Sequence, residues 1–421
     1  MHWFALLFLF LLLVSTAVRG WLNQRQIDAV RAHQDRVPDA FAAQIDLDSH
    51  KKAAGYTLAL AGLNRWDMVV DTLIVVLLTF GGGIDALDRI WAQAALPALW
   101  HGTAVLLSTV LLMSAITLPF SIYRTFGIEA RFGFNRMTPA LFIVDLLKGL
   151  ALTLVLGTPL VFVILYLMQS AGSLWWLYAW LVWLGVMLLA TWAWPTLLAP
   201  LFNKFTPLTD AALQQRTEAL LERCGFSSKG IFVMDGSRRS VHGNAYFTGL
   251  GNNKRIVFFD TLIERLNGAE VEAVLAHELG HFRLHHVRRR LLLSLGVGLG
   301  GFALLGALAA WPDFYRVLGV SQPSGHAAVL LFMLVLPAFT FFITPLGAWW
   351  SRKHEFEADE FASRFADARE LAAALVKLYR DNATSLTPDP LHSAFYDSHP
   401  PALTRIARLH QLGARPGAAQ A

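Results

Sequence analysis

The segment AHELGHFRLHHVRRR (Ala276–Arg290) decides how this sequence is interpreted. It holds four histidines and one glutamate within ten residues, ends in three arginines, and leads directly into the apolar run LLLSLGVGLGGFALLGALAAW (Leu291–Trp311). An apolar helix of about 20 residues is long enough to cross the hydrocarbon core of a bilayer. The sequence therefore predicts a cluster of titratable side chains next to a membrane.

The composition points to a membrane protein with a water-soluble part. Of the 421 residues, 55% are hydrophobic and only 15% are charged, whereas soluble domains carry about 25% charged residues. We expect contacts with membrane lipid and none with nucleic acid. The single cysteine, Cys224, excludes an internal disulfide, which fits a domain on the reducing side of a membrane.

Seven apolar stretches could form membrane-spanning helices. Asp71 interrupts the second stretch, and the fourth carries Asp145 and Lys148 on one helical face, where charges usually pair with each other. The predicted spans are Trp3–Val18, Met68–Gly83, Leu96–Phe120, Pro139–Met168, Leu174–Leu198, Leu291–Trp311 and His326–Trp350.

The loops between these spans predict the orientation. Loops one, three and five and the C-terminal segment are rich in Lys and Arg, whereas loops two, four and six are poor in them. By the positive-inside rule, the N-terminus lies outside and the C-terminus in the cytoplasm. No Lys or Arg precedes the first apolar run, and Arg19 and Arg25 follow it, so we expect an uncleaved anchor and not a signal peptide.

Four regions follow from this topology. Residues 1–200 contain spans one to five, residues 201–290 a cytoplasmic segment, residues 291–350 spans six and seven, and residues 351–421 a second cytoplasmic segment. The fold class is mainly α: a polytopic membrane protein with seven transmembrane helices and a small α+β domain assembled from the two cytoplasmic segments.

Strand signals come first in the cytoplasmic part. The run KGIFVMDGS (Lys229–Ser237) predicts a strand that ends in a turn, and NAYFTGLGNNKRIVFFD (Asn244–Asp260) predicts a hairpin about Gly251–Asn253.

Helix signals follow the hairpin. Thr261 with Glu264, and Asn267 with Glu270, have the spacing of capping boxes. They predict a helix from Gly268 to about residue 286. The C-terminal segment predicts three more helices, through SRKHEFEADEFASRFA, through RELAAALVKLYRDN and after Pro401.

The motif H-E-x-x-H on the first of these helices predicts a zinc site. His277 and His281 are four residues apart and share a helical face, and Glu278 lies close enough to act on a water molecule at the metal. Zinc accepts nitrogen ligands in a tetrahedral site and leaves one position open for water.

The third ligand must come from elsewhere in the chain. Leu284 and Val287 occupy the positions where H-E-x-x-H-x-x-G-x-x-H would need glycine and histidine, so that class is excluded. A carboxylate of a second helix is the alternative, and HEFEADEFA offers four. Glu355 and Asp359 share a face, so that one can bind metal while the other holds an imidazole; Glu357 and Glu360 face elsewhere and are expected to be solvated.

Three further histidines are expected to lie outside the ligand set. His285 and His286 lie beyond the motif and beside the arginines, which favours an interfacial or cavity-lining role. His354 adjoins Glu355 in sequence but points off its face.

Taken together, these motifs resemble those of the type I CAAX prenyl protease family of membrane zinc metalloproteases. The resemblance covers nearly the whole chain, and its segments occur in the family's order. They are YRTFGIEARFGFN (Tyr123–Asn135), PLFNKFTPL (Pro200–Leu208), HGNAYFTG (His242–Gly249), HELGHF, SRKHEFEADEFA (Ser351–Ala362) and SHPP (Ser398–Pro401).

The resemblance implies seven helices that enclose a chamber closed by the zinc domain. It further implies a set of roles: His277, His281 and Glu355 as zinc ligands, Glu278 as general base, Asp359 as support for a ligand, Asn244 with Ala245 and Tyr246 as the backbone-binding strand, and His399 and Arg405 near the scissile carbonyl.

The implied activity is hydrolysis of peptide bonds near the C-terminus of prenylated or other membrane-associated substrates. The short loops and compact length resemble bacterial members, which predicts a bacterial inner membrane, where a prenylated substrate could be lacking. Two alternatives stay open: a quality-control protease for misfolded membrane proteins, and a channel or transporter with a structural zinc, whose pathway would include Asp71, Asp145 and Lys148.

Overall fold

The computed structural model describes residues 2–226, 230–248 and 255–414. In this part of the chain, long apolar helices form one region and a four-stranded sheet with shorter helices forms the other. The elements of the first half, in chain order, are α1 (Trp3–His33), α2 (Leu47–Leu78), α3 (Gly83–Ala92), α4 (Ala98–Ile122), α5 (Pro139–Ser170), α6 (Trp175–Ala193) and α7 (Ala199–Phe202). A π-helical turn, Tyr123–Glu129, extends α4, and another, Trp194–Leu198, joins α6 to α7.

The second half contains the sheet and returns to the apolar region twice. Its elements are β1 (Phe205–Pro207), α8 (Ala211–Arg223), β2 (Ile231–Met234), β3 (Ala245–Thr248), β4 (Arg255–Phe259), α9 (Asp260–Ile263), α10 (Gly268–Arg283), α11 (His286–Ala309), α12 (Pro312–Arg316), α13 (Gly325–Thr340), α14 (Thr344–Phe365), α15 (Ala368–Asp381), α16 (Pro390–Tyr396) and α17 (Ala402–Gly413).

Six helical segments of the described chain are long and apolar enough to cross a membrane. A seventh span results if α2 and α3, which meet at a bend of 58°, are counted as one broken span. This pair accounts for the weak second stretch in the sequence. Large apolar side chains such as Val155, Leu189 and Leu346 are more than 60% exposed on these helices, which is the surface that lipid covers.

The long helices form a closed circle of neighbours. Each of α1, α2, α4, α5, α6, α11 and α13 packs against the next in this order, and α13 returns to α1. The apolar core between them includes Phe8, Val105 and Leu331, all fully buried.

The sheet has the strand order β1-β2-β4-β3, so β3 lies at an edge. The β3–β4 pair is antiparallel, as the hairpin signal predicts, and residues 251–253 of its turn lie outside the described residues. The predicted strand after Lys229 is confirmed as β2, which runs parallel to β4. No pattern in the sequence predicts β1, a three-residue strand antiparallel to β2.

One of the two predicted capping boxes is present. The Asn267 side chain accepts hydrogen bonds from the amides of Ala269 and Glu270, and Glu270 accepts one from the Asn267 amide. The box at Thr261 is wrong, because α9 already begins at Asp260 and the Thr261 hydroxyl donates to the carbonyl of His242.

The helix that carries H-E-x-x-H is shorter than predicted. It ends at Arg283, and His285 adopts the left-handed conformation with φ +61° before α11 begins at His286. The break redirects the chain into the apolar region. The three predicted C-terminal helices are confirmed as α14, α15 and α17.

Asp145 and Lys148 do not pair with each other, so that prediction is wrong. Arg239 holds Asp145 through two hydrogen bonds of 2.9 and 3.1 Å, and Lys148 Nζ donates to the carbonyl of Leu201 at 2.7 Å. Both charges of α5 therefore bind segments next to the sheet, which anchors the sheet to this helix.

Candidate metal centre

Two helices, α10 and α14, bring the site together by packing side by side. Their close approach depends on Gly280, inside the H-E-x-x-H motif. A Cβ at this position would lie 3.1 Å from Ala358 Cα and 3.2 Å from Ala358 O. A glycine here therefore lets the backbones meet, which places the motif directly opposite Glu355.

The side chains of His277, His281 and Glu355 converge on one point. His277 Nε2 lies 3.1 Å from His281 Nε2 and 3.5 Å from Glu355 Oε2, and His281 Nε2 lies 3.3 Å from Glu355 Oε1. His277 and Glu355 are buried and His281 is partly buried. These three groups are the ones that the family resemblance implied as ligands, whereas the residue spacing alone had left Glu355 and Asp359 open.

The second ring nitrogen of each histidine has its own partner. His277 Nδ1 lies 2.8 Å from Asp359 Oδ1, and His281 Nδ1 lies 3.0 Å from His286 Nδ1. His286 Nε2 is in turn 3.0 Å from Glu357 Oε2. Since a carboxylate only accepts, these partners hold a proton on Nδ1 of each ligand ring, and a metal ion at the centre would then bind the lone pair of each Nε2.

This arrangement fits a cation. Two imidazole rings and a carboxylate face one another at close range, and the buried Glu355 Oε2 forms no hydrogen bond in the described structure, although it lies 3.2 Å from Arg405 Nη1. Burial and Arg405 disfavour a charged His277, yet the hydrogen bonds to Asp359 and Glu355 outweigh them and raise the pKa of His277 to about 9. The centre therefore favours positive charge, and the donor set of two imidazoles and one carboxylate is that of a metal ion.

Glu278 lies beside the two rings and is half-buried. Burial raises the pKa of its carboxyl group, although His277 and His281 oppose the shift. Within the described residues it has no hydrogen-bond or ion-pair partner. A free carboxylate of raised basicity next to the centre is suited to proton transfer.

Arg405 has partners that differ from those implied by the resemblance. It is buried, donates to both oxygens of Asp359 at 2.9 and 2.8 Å, and lies 3.2 Å from Glu355 Oε2 through Nη1. The guanidinium thus contacts the carboxylates behind the centre, and these contacts hold them in place.

His399 lies on the open side of the centre. Its side chain is 65% exposed, and its Nε2 is 3.6 Å from Glu355 Oε2. The Ser398 hydroxyl, 3.0 Å from His399 Nδ1, orients the ring. An exposed imidazole at this place can reach a bound molecule.

The edge strand β3 packs beside α10, where the rings of Phe247 and Phe282 are 4.2 Å apart. Asn244 is exposed, and its Oδ1 accepts from the amide of Ala245, which points away from β4. The Tyr246 ring lies edge-on to that of Phe259, with centroids 6.2 Å apart. The outer edge of β3 is thereby open to another extended chain.

Sequence reasoning missed two parts of the site. His286 was expected at an interface or lining a cavity, but it is buried, contacts a ligand ring and stacks on His354 with centroids 4.0 Å apart. Glu357 was expected to be solvated, but it is only 34% exposed and pairs with His286. Spacing gave no signal for either, because the break at His285 is what returns His286 to the site.

Comparison with known proteins places the chain in a family. Residues 26–204 match the CAAX prenyl protease N-terminal family, with five membrane helices, and residues 207–412 match peptidase family M48. The chain belongs to peptidase family M48. Membership of M48 implies a metal, and His277, His281 and Glu355 form a group that could hold it.

The sequences of several relatives align with this M48 peptidase over most of its length. It is 35% identical to a CAAX prenyl protease 1 homolog of Arabidopsis thaliana over 410 residues, covering 94% of this chain and 95% of the relative. It is 31% identical to CAAX prenyl protease 1 of Saccharomyces cerevisiae, covering 93% and 91%. The crystal structure of S. mikatae Ste24p superposes with a TM-score of 0.91 at 27% identity, covering 97% of this chain and 99% of that one.

These findings establish the general class of the protein. It is an integral, multi-pass membrane protein and a metalloendopeptidase that acts on peptide or protein substrates.

Proposed function

We propose that this M48 peptidase uses zinc to hydrolyse peptide bonds near the C-terminus of prenylated CAAX-type or other membrane-associated substrates. The observation that carries the proposal is the convergence of two histidines and Glu355 beside a carboxylate, Glu278, without a partner in the described chain. The names of the relatives support the substrate class.

Zinc is the metal that this donor set favours. Two imidazole nitrogens and one carboxylate, with a fourth position for water, are the ligands of catalytic zinc in peptidases. Asp359 and His286 support the proposal, because each holds a ligand ring by its outer nitrogen. His277, His281 and Glu355 are the proposed ligands.

The proposed chemistry is addition of water to the scissile carbonyl. A bound zinc ion would polarise that carbonyl and lower the pKa of water. Glu278 takes the proton of the attacking water and passes it to the leaving amine. His399 donates a hydrogen bond to the developing oxyanion. Arg405, committed to Asp359 and Glu355, acts as a positioning residue.

The substrate backbone is proposed to extend the sheet at β3. Asn244 stands at the start of this strand, and the outward peptide groups of Ala245 and Phe247 face away from β4 in the antiparallel register. An extended peptide would pair with them and pass the centre, as in strand addition. Tyr246, whose peptide group faces β4, contributes by holding β3 in place.

The membrane setting completes the proposal. The closed circle of seven helices supports a chamber in which an apolar or lipidated substrate stays out of bulk water while its peptide bond reaches the zinc. The distribution of Lys and Arg supports an outside N-terminus and a cytoplasmic zinc domain, and the short loops support a bacterial inner membrane.

Cleavage of a farnesylated CAAX peptide by purified protein tests the function. Wild type is expected to cleave, whereas Glu278→Gln keeps its zinc and loses cleavage; Glu264→Gln, an exposed glutamate between α9 and α10, serves as the matched control. A Glu278→Gln protein as active as the control would contradict the proposed base. Cleavage of an unfolded membrane protein but not of the CAAX peptide would favour the quality-control alternative.

A further inference from the structure

A second group of potential ligands lies in the helical bundle away from the sheet. Asp88 of α3, His101 of α4 and His326 of α13 present ligand atoms that all lie within 4.8 Å of one another. Along the α13–α14 segment, Glu355 follows His326 by 29 residues. At a rise of about 1.5 Å per helical residue, this separation amounts to roughly 45 Å along the segment. The group is therefore distinct from the M48 centre.

The two imidazoles converge on one oxygen atom. His101 Nε2 is 2.9 Å and His326 Nε2 is 2.7 Å from Asp88 Oδ1. The rings of His101 and His326 are mostly buried, with side-chain exposures of 18% and 13%, and the Asp88 side chain is 36% exposed. An ordinary ion pair needs only one histidine, whereas here three separate segments direct polar atoms to one place.

The surroundings position His326 and admit water. Gly102 lacks the Cβ that would lie 2.9 Å from His326 Nδ1, so the imidazole can pack directly against α4. Ser324 Oγ is 3.1 Å from His326 Nε2. A cavity of about 410 Å³ adjoins the group, and its lining includes Gln169 and Gln322. The group is thus partly enclosed, polar and accessible to a small ion.

We propose that Asp88, His101 and His326 form a second divalent-metal site, of the zinc type. Two imidazoles and one carboxylate suit zinc, whereas calcium and magnesium prefer oxygen ligands alone. Zinc–ligand bonds of about 2.0–2.1 Å at tetrahedral angles place ligand atoms about 3.3 Å apart. The group has to open by roughly 0.5 Å, and both histidines then carry their proton on Nδ1.

The site would tie α3 to α4 and α13. The segment α3 follows the 58° bend after α2, and a metal shared by the three segments would fix it against the bundle. Water from the cavity would complete the coordination. This role requires no step of peptide hydrolysis, so the site can be tested by metal content alone.

Zinc content per chain tests the proposal. Purified full-length protein is loaded with zinc, freed of loosely held ions by a weak chelator, and measured by elemental analysis. We expect two zinc ions in wild type and one in His101→Gln and in the isosteric Asp88→Asn. His277→Ala should also hold one, and combined with His101→Gln it should hold none.

Two control variants keep the result specific. His2 Nε2 lies 3.6 Å from Asp313 Oδ2, so His2→Gln removes an imidazole that has a carboxylate partner but is outside the group. Asp85→Asn removes a carboxylate of α3 whose partner is Ser321, and it keeps all three ligands. Both controls should retain two zinc ions.

The same measurement can overturn the proposal. It fails if His101→Gln and Asp88→Asn hold as much zinc as wild type, or if His2→Gln loses the same ion. A failure of the M48 centre to bind zinc gives a different result. Wild type would then hold one zinc ion, His277→Ala would still hold that ion, and His101→Gln would lose it. If His101→Gln does not fold, Asp88→Asn decides between the two results.

Discussion

Arg405 donates two hydrogen bonds to Asp359, from Nε to Oδ2 at 2.9 Å and from Nη2 to Oδ1 at 2.8 Å. Asp359 Oδ1 is at the same time 2.8 Å from His277 Nδ1. A buried guanidinium therefore fixes the carboxylate that fixes a ligand ring. Burial disfavours the charged guanidinium, but Asp359 outweighs this effect and raises the pKa of Arg405, so the group stays charged at every pH of interest.

We expect Arg405→Lys to lower zinc affinity. A lysine ammonium cannot reproduce the two parallel hydrogen bonds of a guanidinium, so Asp359 and the His277 ring lose their fixed orientation. Loss of such a supporting contact costs roughly 10–100-fold in metal affinity. Competition with a chelator of known affinity measures the change. Arg408→Lys, more exposed on the same helix, is the control, and equal affinities in the two variants would argue against the positioning role.

His286→Ala is expected to weaken zinc binding through His281. The substitution removes the acceptor of the His281 Nδ1 proton, 3.0 Å away, and the ring then turns more freely. We expect a loss of about tenfold, the lower end of the range for such contacts. His286→Gln retains an acceptor and should lose less.

The neighbouring His285 supplies the control for this series. His285→Asn preserves the left-handed backbone at φ +61°, since asparagine tolerates that conformation. Its zinc affinity should equal that of wild type. If His286→Ala binds zinc as tightly as His285→Asn, the contact between the two imidazoles does not support the ligand.

The positions of these residues show what the sequence could and could not predict. The i, i+4 spacing of His277 and His281 predicts a shared face on any helix, and the Asn267–Glu270 box predicts where that helix begins. His286 is five residues beyond His281, which on a continuous helix would turn it about 140° away from that ring. The left-handed residue His285 brings it back, and no periodicity reveals such a break.

Contacts between residues that are distant in sequence could not be predicted from the sequence pattern either. Arg405 meets Asp359 across 46 residues, and His326 meets Asp88 across 238. Such contacts depend on how α17 and α13 pack, which hydrophobic patterning does not specify. The same holds for Asp145, whose partner is Arg239 and not the nearby Lys148.

Asn244→Ala is expected to raise KM more than it lowers kcat. The Asn244 side chain is exposed at the start of the edge strand, where a substrate backbone would pair. One hydrogen bond contributes about 0.5–1.5 kcal/mol, which corresponds to roughly a twofold to tenfold rise in KM. Steady-state kinetics with a farnesylated CAAX peptide measure the split between the two constants.

Tyr246→Phe is the matched control in the same strand. Among the described residues, the Tyr246 hydroxyl has one hydrogen-bonding contact, a long one of 3.9 Å to Met234 Sδ, so its removal should leave KM unchanged. A KM for Asn244→Ala equal to that of Tyr246→Phe would remove Asn244 from the substrate site.

His399→Ala is expected to reduce kcat while zinc content stays at the wild-type level. His399 is exposed on the open side of the centre, 3.6 Å from Glu355, and outside the proposed ligand set. Loss of one hydrogen-bond donor to a developing oxyanion typically costs about 2.7–4 kcal/mol, or roughly 10²–10³-fold in kcat. Parallel measurement of turnover and zinc content separates this effect from loss of metal, and His410→Ala, an exposed histidine of α17, controls for the removal of an imidazole. Unchanged turnover in His399→Ala would exclude it as the oxyanion donor, and a joint loss of turnover and zinc would make it a metal-supporting residue instead.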